Sequence, residues 1–343
     1  MNVVRFSLAF GLVFLILFLL WYLSGLLIPF VVAVLIWYLI NALANTYGRI
    51  TIRGWRPPGF LSLLTAILSV LAGLFFLLQL VSANVIAVTK AAPFYGQNLD
   101  NLVKRMFGTA DFSVAPSVTQ IIEQIDIGAL IRGVAGTLTG VAGKTGLILI
   151  YLLFLFLEQK SFRPKLTALF PNTDHKAAVQ RTIARIMTSI QRYIFIKTLM
   201  SLLTGGLCFT VLGLVGVDFA IFWGFFAFLL NYIPTIGSVV AVIFPTLLAI
   251  LQFDTLTPPI IILVSLGVVQ FGVGSLLEPK LHGDRLNLSP LVVLLSLALW
   301  GTIWGLVGMF LSVPITVAIL IICSEFPRTR PLAIILSQSG KID

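Results

Sequence analysis

The sequence predicts an all-α polytopic membrane protein with about six full spans, two interrupted hairpin-like segments and a small extracytoplasmic domain. Hydrophobic residues make up 59% of the chain and charged residues 10%, whereas soluble domains average about 25% charged residues. Four stretches carry no charge at all: Phe6–Gly48, Phe219–Phe253, Thr255–Leu277 and Leu286–Ser324. A span needs about 20 apolar residues, and a charge within the bilayer costs several kcal/mol. Hydropathy alone gives seven or eight spans.

The N-terminal region, residues 1–89, is predicted to cross the membrane three times. Phe6–Ile28 forms the first span, Pro29 ends it, and Phe30–Asn45 turns back as the second. The first apolar run is too long for the core of a signal peptide, so we expect it to be retained. Gly59–Val88 forms the third span.

The middle of the chain alternates between water and membrane. Residues 90–140 hold four of the twelve acidic residues, mixed with Lys, Arg, Pro and Gly, which predicts a small soluble extracytoplasmic domain. Residues 141–158 form the fourth span, with Lys144 inside it. Glu158–Lys197 carries eight Lys or Arg against two acids, so residues 159–197 are predicted to be a basic cytoplasmic region.

That basic region contains the pattern of an amphipathic helix. Aliphatic residues recur at helical spacing on one face, and arginines share the opposite face. The aliphatic residues are Val179, Ile183, Ile186, Ile190 and Ile194, and the arginines are Arg181, Arg185 and Arg192. A cationic helix of this kind lies along a membrane surface, so residues 176–197 are expected to contact anionic lipid headgroups.

Residues 198–324 are predicted to be the membrane core, with a fifth span at Thr198–Val217, a sixth near Ile260–Leu277 and two interrupted segments, 219–253 and 291–323. The charge-free runs that contain these segments are 35 and 39 residues long, too long for one span and barely long enough for two. Pro, Gly and polar residues break each run, a pattern that points to a transporter's binding site. Two hairpins entering from opposite faces would form an inverted repeat, and eight ordinary helices are the alternative.

The distribution of positive charge predicts the orientation, because Lys and Arg collect in cytoplasmic loops. With the N-terminus inside, seventeen Lys or Arg fall in the cytoplasm, four fall outside, and Lys144 lies within a span. Both termini, including the tail 325–343, are therefore expected to be cytoplasmic. Residues 90–140 are expected to lie outside.

The first interrupted segment has a polar centre, which predicts a binding or gating site. Its residues are Asn231, Tyr232, Pro234, Thr235, Gly237 and Ser238. Pro removes a backbone donor and frees a carbonyl, and Gly lets the chain turn, so exposed backbone groups would lie beside polar side chains. Such a cluster suits a neutral polar solute or a desolvated cation. A proline kink with satisfied polar residues is the alternative.

The second interrupted segment combines two tryptophans with glycines and a later proline. Its candidate residues are Trp300, Gly301, Trp304, Gly308 and Pro314. The two indoles lie four residues apart on one helical face and would stack on a sugar-like ring, while the glycines permit close helix approach. An interfacial aromatic belt and simple helix packing are the alternatives.

The loop between the sixth span and the second interrupted segment holds the densest charge cluster beside the membrane. Its candidate gating residues are Glu278, Pro279, Gly283, Asp284 and Arg285. Glu278 would pair with Arg285, or Asp284 with Lys280. Solvated surface charge is the alternative, since exposed pairs contribute about 0–1 kcal/mol.

Several functional classes lack support in the sequence. No Ser/His pair, HExxH motif or paired Asp set lies within a predicted span, so no catalytic residue, metal ligand or cofactor is expected. The two cysteines, Cys208 and Cys323, lie in apolar stretches and indicate no disulfide. No aromatic-interleaved basic module predicts a nucleic-acid partner.

Several motifs resemble the autoinducer-2 exporter family over nearly the whole chain. They are YIFIK (Tyr193–Lys197), Trp223-Gly224, NYIPTIGS from Asn231, EPKLHGDRLNLSPLVVLLSLALWG from Glu278, GLVGMFLSVP (Gly305–Pro314) and, near the N-terminus, IPFVVAVLIWYLINAL. By the same resemblance, the matching positions expected to matter most for function are Asn231, Pro234, Gly237, Glu278, Pro279, Gly283, Pro290, Trp300, Gly301, Gly308 and Pro314.

The resemblance implies an exporter of autoinducer-2 or a related quorum-sensing signal in the bacterial inner membrane. It also implies a homo-oligomer, for which a pentamer is the size suggested by the family. A Na⁺(Li⁺)/H⁺ antiporter of the same family is the first alternative. The absence of an acid inside an apolar stretch argues against it, although backbone carbonyls also coordinate Na⁺. A non-transporting membrane scaffold is a remote alternative, because it would need no polar centres.

Overall fold

The computed structural model describes residues 3–49, 56–76, 79–80, 83, 140, 143–169, 173–282 and 287–341. Within these ranges the chain is almost entirely helical, and five helices are long and apolar enough to cross a membrane. Three shorter apolar helices accompany them. The protein is therefore an all-α polytopic membrane protein, as the sequence predicts. The predicted soluble domain lies outside the described residues except for Gly140.

Eleven α-helices lie in the described ranges, and a π-helical segment, Phe271–Leu277, joins α8 to α9. The helices are α1 Val3–Tyr22, α2 Ser24–Tyr47, α3 Gly59–Phe76, α4 Thr145–Leu169, α5 Thr173–Val215, α6 Ala220–Leu230, α7 Ile236–Gln252, α8 Thr257–Gln270, α9 Glu278–His282, α10 Pro290–Glu325 and α11 Arg330–Leu336.

The chain divides into two compact units. Unit 1 contains Met1–Leu80, Gly136–Gln180 and Leu299–Gly308. Unit 2 contains Val81–Ala135, Arg181–Ala298 and Met309–Asp343.

In unit 1, α2 is the central helix. Its Ala33 is fully buried against Ile148 and Leu152 of α4, and its Ile40 packs with Ala66 and Val70 of α3. A small residue at each contact lets two helix backbones approach closely, which is the usual basis of helix association in membranes.

The junction of α1 and α2 differs from the predicted hairpin at Pro29. The N–H of Leu23 bonds to the carbonyl of Leu19, and the N–H of Leu27 bonds to the carbonyl of Leu23. These bonds close α1 and open α2 at Leu23 itself, so the junction lies at Leu23 and not at Pro29. Pro29 lies inside α2, where it removes only its own donor.

The start of α4 also differs from its prediction. Lys144 was expected within the fourth span, but it lies in an exposed turn directly before α4 begins at Thr145. At its other end α4 passes Pro164 and reaches Leu169, beyond the predicted boundary at residue 158.

In unit 2, helices α5 to α8 surround the largest apolar core. Its largest fully buried side chains are Cys208, Leu212, Phe222, Trp223, Leu248, Ile262 and Leu266. Helices α5 and α6 cross at Gly205 and Gly224: a Cβ on Gly205 would lie 2.7 Å from the Gly224 carbonyl oxygen. Only glycine fits this crossing, because any side chain would push the two backbones apart.

Helix α5 is one continuous helix of 43 residues across the predicted boundary at residues 197 and 198. In its first half the predicted aliphatic face is half-buried and the three arginines are exposed. Ile186 and Ile194 pack against the second half of α10, beside Val317 and Leu320. Protein therefore covers part of the aliphatic face, and contact of the arginines with lipid headgroups remains a prediction.

Both interrupted segments fold as helical hairpins. Helices α6 and α7 contact each other and are 11 and 17 residues long, about 16 and 25 Å, so α6 is too short to cross a bilayer. Helix α10 reverses at Gly305, whose φ of +62° and ψ of −140° are non-helical. Its arms are joined in unit 2, where the Ser296 hydroxyl donates to the Ser312 carbonyl at 3.0 Å.

The C-terminal tail folds back onto the start of α10. Ser337 forms an antiparallel bridge with Leu288, and the Gln338 N–H donates to the Asn287 carbonyl at 3.1 Å. The Asn287 side chain also bonds to Ser339. Instead of a simple basic tail, residues 330–341 form a helix and an extended segment that belong to unit 2.

Candidate functional site

The tip of the first hairpin is a tight turn that uses its own backbone groups. Carbonyls of Leu230, Ile233 and Pro234 accept N–H bonds from residues of the tip itself. The free backbone cluster predicted here is therefore largely occupied. Thr235 takes the strained backbone conformation, with φ of +63°.

Gly237 serves close approach and not the turn itself. A Cβ at this position would lie 1.8 Å from the Leu230 carbonyl oxygen, so the two arms of the hairpin meet only because the residue is glycine. Gly308 has the same role in the tip of the second hairpin, where a Cβ would lie 1.9 Å from the Trp300 carbonyl oxygen. The two tips therefore share one kind of close glycine contact, and the inverted repeat remains a prediction.

The polar side chains of the first tip bind to α5. Asn231 is 4% exposed, and its amide nitrogen donates to the Ser201 hydroxyl at 3.1 Å. The Tyr232 hydroxyl donates to the Thr198 hydroxyl oxygen at 2.7 Å. Pro234 and Ser238 are half-buried and Thr235 is exposed.

The ring of Tyr232 also joins the first tip to the second half of α10. It stacks on Phe310 with a centroid distance of 4.5 Å and an interplanar angle of 28°. Pro314, one turn further along α10, is buried and cannot donate a hydrogen bond to the Phe310 carbonyl.

Helix α5 supplies a polar face that the sequence interpretation missed. Lys197, Ser201 and Thr204 recur at positions i, i+4 and i+7, so they share one side of the helix. They are 5%, 0% and 0% exposed, respectively. The signal was present as polar residues at helical spacing in an apolar span, but nothing in the sequence indicates what they contact.

A buried ion pair closes one end of this polar face. The Lys197 ammonium lies 2.6 Å from Oε1 of Glu278, and the side chains are 6% and 16% exposed. Glu278 begins α9, directly after the π-helical segment, whose wide turn is a form found mostly at functional positions. Gly283, Asp284 and Arg285 lie outside the described residues, so the pairings predicted for that loop remain predictions. Pro279 is exposed.

The second tip, in unit 1, is anchored by its tryptophans. Trp300 and Trp304 are 7% and 9% exposed, and their rings are tilted by 51° with centroids 5.4 Å apart. The Trp304 indole N–H donates to the carbonyl of Leu20 on α1 at 3.0 Å. Gly301 is half-buried between them. In this structure the indoles contact each other, and stacking on a solute ring remains a prediction.

Two other features bear on ligand chemistry. Within the described ranges, no three His, Cys, Asp or Glu side chains come close enough to hold a metal ion. A groove of about 370 Å³ lies between α5 and the π-helical segment. Its lining is aliphatic apart from glycine and one lysine: Leu207, Val268, Val269, Gly272, Val273, Leu276, Leu277 and Lys280. This groove does not offer the groups that a polar solute needs.

The structure thus places Asn231, Tyr232 and Glu278 around the polar face of α5 in unit 2. Trp300, Gly301, Trp304 and Gly308 form a separate cluster in unit 1. Broken helices with buried polar groups within a multi-pass helical fold are the features of a membrane transporter.

Comparisons with known proteins agree with this class. The family model for AI-2E family transporters matches residues 9–328. The AI-2 transport protein TqsA of Escherichia coli K12 is 30% identical over 99% of this chain and 98% of its own length. A protein of Haemophilus influenzae, which carries only the general name of a transport protein, is 32% identical over 82% of this chain and 83% of its own. The chain belongs to the AI-2E transporter family.

Proposed function

We propose that this protein exports a small, polar, largely uncharged solute, with autoinducer-2 or a related quorum-sensing signal as the expected substrate. The polar face of α5 and the first hairpin tip supply the binding groups. The named substrate of TqsA is consistent with this proposal. An enzymatic activity is not proposed, because the chain belongs to a family of transporters.

The observation that carries the proposal is the electrical neutrality of this polar region. Asn231, Tyr232, Thr198 and Ser201 are uncharged hydrogen-bonding groups. The one charged pair described beside them, Lys197 with Glu278, has no net charge. Neutral donors and acceptors favour a neutral polar solute, because a charged one would lack a counter-ion at membrane depth.

Efflux from proteoliposomes tests the proposal. We expect purified protein to release autoinducer-2, and Asn231→Leu to abolish release, because the substitution removes the amide that reaches Ser201. Thr210→Val is a matched control, since Thr210 is exposed and bonds only within its own helix in the described structure. Wild-type efflux by a correctly assembled Asn231→Leu variant would exclude the first tip as the site.

Antiport of Na⁺ or Li⁺ against H⁺ is the second candidate, and Glu278 is the observation that favours it. A carboxylate whose side chain is 16% exposed is the kind of group that exchanges a cation for a proton. Vesicles with an internal pH dye distinguish the two functions. A Na⁺-dependent pH change that Glu278→Gln abolishes would identify the antiporter.

We also propose the bacterial inner membrane as the location, with the basic half of α5 and the C-terminal tail on the cytoplasmic side. The expected partners are anionic lipid headgroups at residues 176–197 and further copies of the chain, with a pentamer as the family suggests. No nucleic-acid partner is proposed. Light scattering of the detergent-solubilised protein measures the number of subunits.

A further inference from the structure

Three buried polar side chains in unit 2 have no hydrogen-bond partner among the described residues. They are Thr204 (0% exposed), Trp223 (1%) and Gln270 (8%). The unpaired atoms are the threonine hydroxyl, the indole nitrogen and both the oxygen and nitrogen of the glutamine amide. Each such group costs about 1–3 kcal/mol when it is left unsatisfied, so native structures retain few of them without a reason.

Thr204 and Trp223 lie beside the crossing of α5 and α6. Thr204 directly precedes Gly205, and Trp223 directly precedes Gly224. The two glycines bring the helix backbones into contact: a Cβ on Gly224 would lie 2.9 Å from the Gly205 carbonyl oxygen. The threonine and the tryptophan therefore flank the contact between α5 and α6.

The register of α5 against α8 places Gln270 at the same level. Lys197 pairs with Glu278, and further along α5 Leu212 shares a core with Ile262, so the two helices run antiparallel. Thr204 is seven residues after Lys197, and Gln270 is eight residues before Glu278. Along α5, Thr204 lies about 10 Å from Lys197, and the π-helical segment separates Gln270 from Glu278.

Trp223 belongs to the apolar core that lies about one helical turn from this level. It packs in one cluster with Cys208 and Leu266, which lie one helical turn beyond Thr204 and Gln270. The π-helical segment begins directly after Gln270, at Phe271. π-helical turns inside membrane and soluble helices occur frequently at functional sites.

The chemistry of the three side chains restricts what they bind. The indole N–H and the amide NH₂ donate, the amide oxygen accepts, and the hydroxyl does both. A cation would face two donors, and an anion would leave the amide oxygen unpaired. We propose that Thr204, Trp223 and Gln270 form a binding site for a neutral hydroxyl group, either of water or of a polyhydroxylated solute. The solute occupant rests on the proposed function; the site itself does not.

Hydroxyl-radical footprinting of the full-length protein in nanodiscs tests the site without measuring transport. X-ray radiolysis modifies buried residues that contact bound water, so Trp223 should be labelled despite its burial. The double variant Thr204→Val/Gln270→Leu should reduce this labelling severalfold. Thr246→Val is the matched control and should leave it unchanged, because the Thr246 hydroxyl is buried and bonds to Val242 within its own helix.

Addition of erythritol, with potassium chloride as the ionic control, distinguishes the two occupants. Protection of Trp223 by erythritol alone supports the site with a solute hydroxyl bound, and unchanged labelling supports the site with water bound. Equal labelling of the wild type and the double variant would overturn the proposal. Thermal unfolding is the second measurement: a higher melting temperature for the double variant would also overturn it, because apolar replacement stabilises a core with unsatisfied groups.

Discussion

The ion pair of Lys197 and Glu278 gives the sharpest stability prediction. At 2.6 Å, with an effective dielectric constant of about 20, the Coulomb attraction is roughly 6 kcal/mol before desolvation. Lys197→Met removes the ammonium that pairs with the largely buried Glu278 carboxylate, and breaking a buried ion pair in this way costs about 3–5 kcal/mol. Replacing both residues, as Lys197→Met/Glu278→Leu, removes the buried charge and should cost much less than the two single variants together.

Thermal unfolding in nanodiscs, followed by tryptophan fluorescence, measures these effects as shifts in melting temperature. The matched control is the pair of Lys165 and Glu158 in unit 1, whose side chains are 64% and 52% exposed. Lys165→Met should change the stability by less than about 1 kcal/mol. If Lys197→Met shifts the melting temperature no more than Lys165→Met, or if the double variant shows the full sum of the single losses, the reasoning is refuted.

Three further predictions concern the hairpins and the orientation. Gly237→Ala should prevent stable folding of the first hairpin, because its Cβ would lie 1.8 Å from a backbone oxygen. The control Gly206→Ala meets nothing within 4 Å and should leave the melting temperature unchanged or raise it. Similar melting temperatures for the two variants would contradict this prediction. Trp304→Phe removes the hydrogen bond to Leu20 and should cost about 1 kcal/mol in unfolding experiments; no loss would show that the bond does not anchor the tip. A cysteine at Lys341 should react with an impermeant maleimide only after cells are opened, and labelling of intact cells would reverse the proposed orientation.

The hairpins could be predicted because the signals for them lie within each segment's own sequence. A charge-free run of 35 or 39 residues does not fit a single span, and the position of its Pro, Gly and polar residues indicates where it turns. The reason why position 237 requires glycine could not be predicted in this way, because it depends on the packing of the two arms. The sequence suggested that it allows the turn, but the structure shows that it allows contact with the other arm of the hairpin.

The role of the polar face of α5 could not be predicted, because the hydrogen-bond partners of its residues lie on other helices. Ser201 and Thr204 are short polar residues of a kind that membrane helices often contain. Only tertiary packing shows that Asn231 bonds to Ser201 and that Thr204 has no partner in the described part of the chain. Glu278 was expected to pair within its own loop. Its bond to Lys197, 81 residues away, required the register of α5 against the end of α8.

Pro29 is a case in which the sequence signal was given too much weight, because the proline was predicted to end a helix and lies inside one. A proline inside a helix usually indicates a break, but α2 accommodates it as its sixth residue. The break falls at Leu23 instead, where the hydrogen bonds of α1 end and those of α2 begin. A cysteine near the N-terminus, labelled as for Lys341, would decide separately on which side of the membrane residue 1 lies.

Because α5 is unbroken, its basic end and Lys197 are expected to move together as one rigid helix. From Arg181 to Lys197 the helix contains neither proline nor glycine, so no hinge absorbs a rotation applied at its basic end. Arg181 and Lys197 lie about 24 Å apart along this helix. A small tilt near the arginines should therefore displace the lysine that pairs with Glu278. We predict that, with the proposed headgroup contact in place, the same protein transports at different rates in membranes of different anionic content.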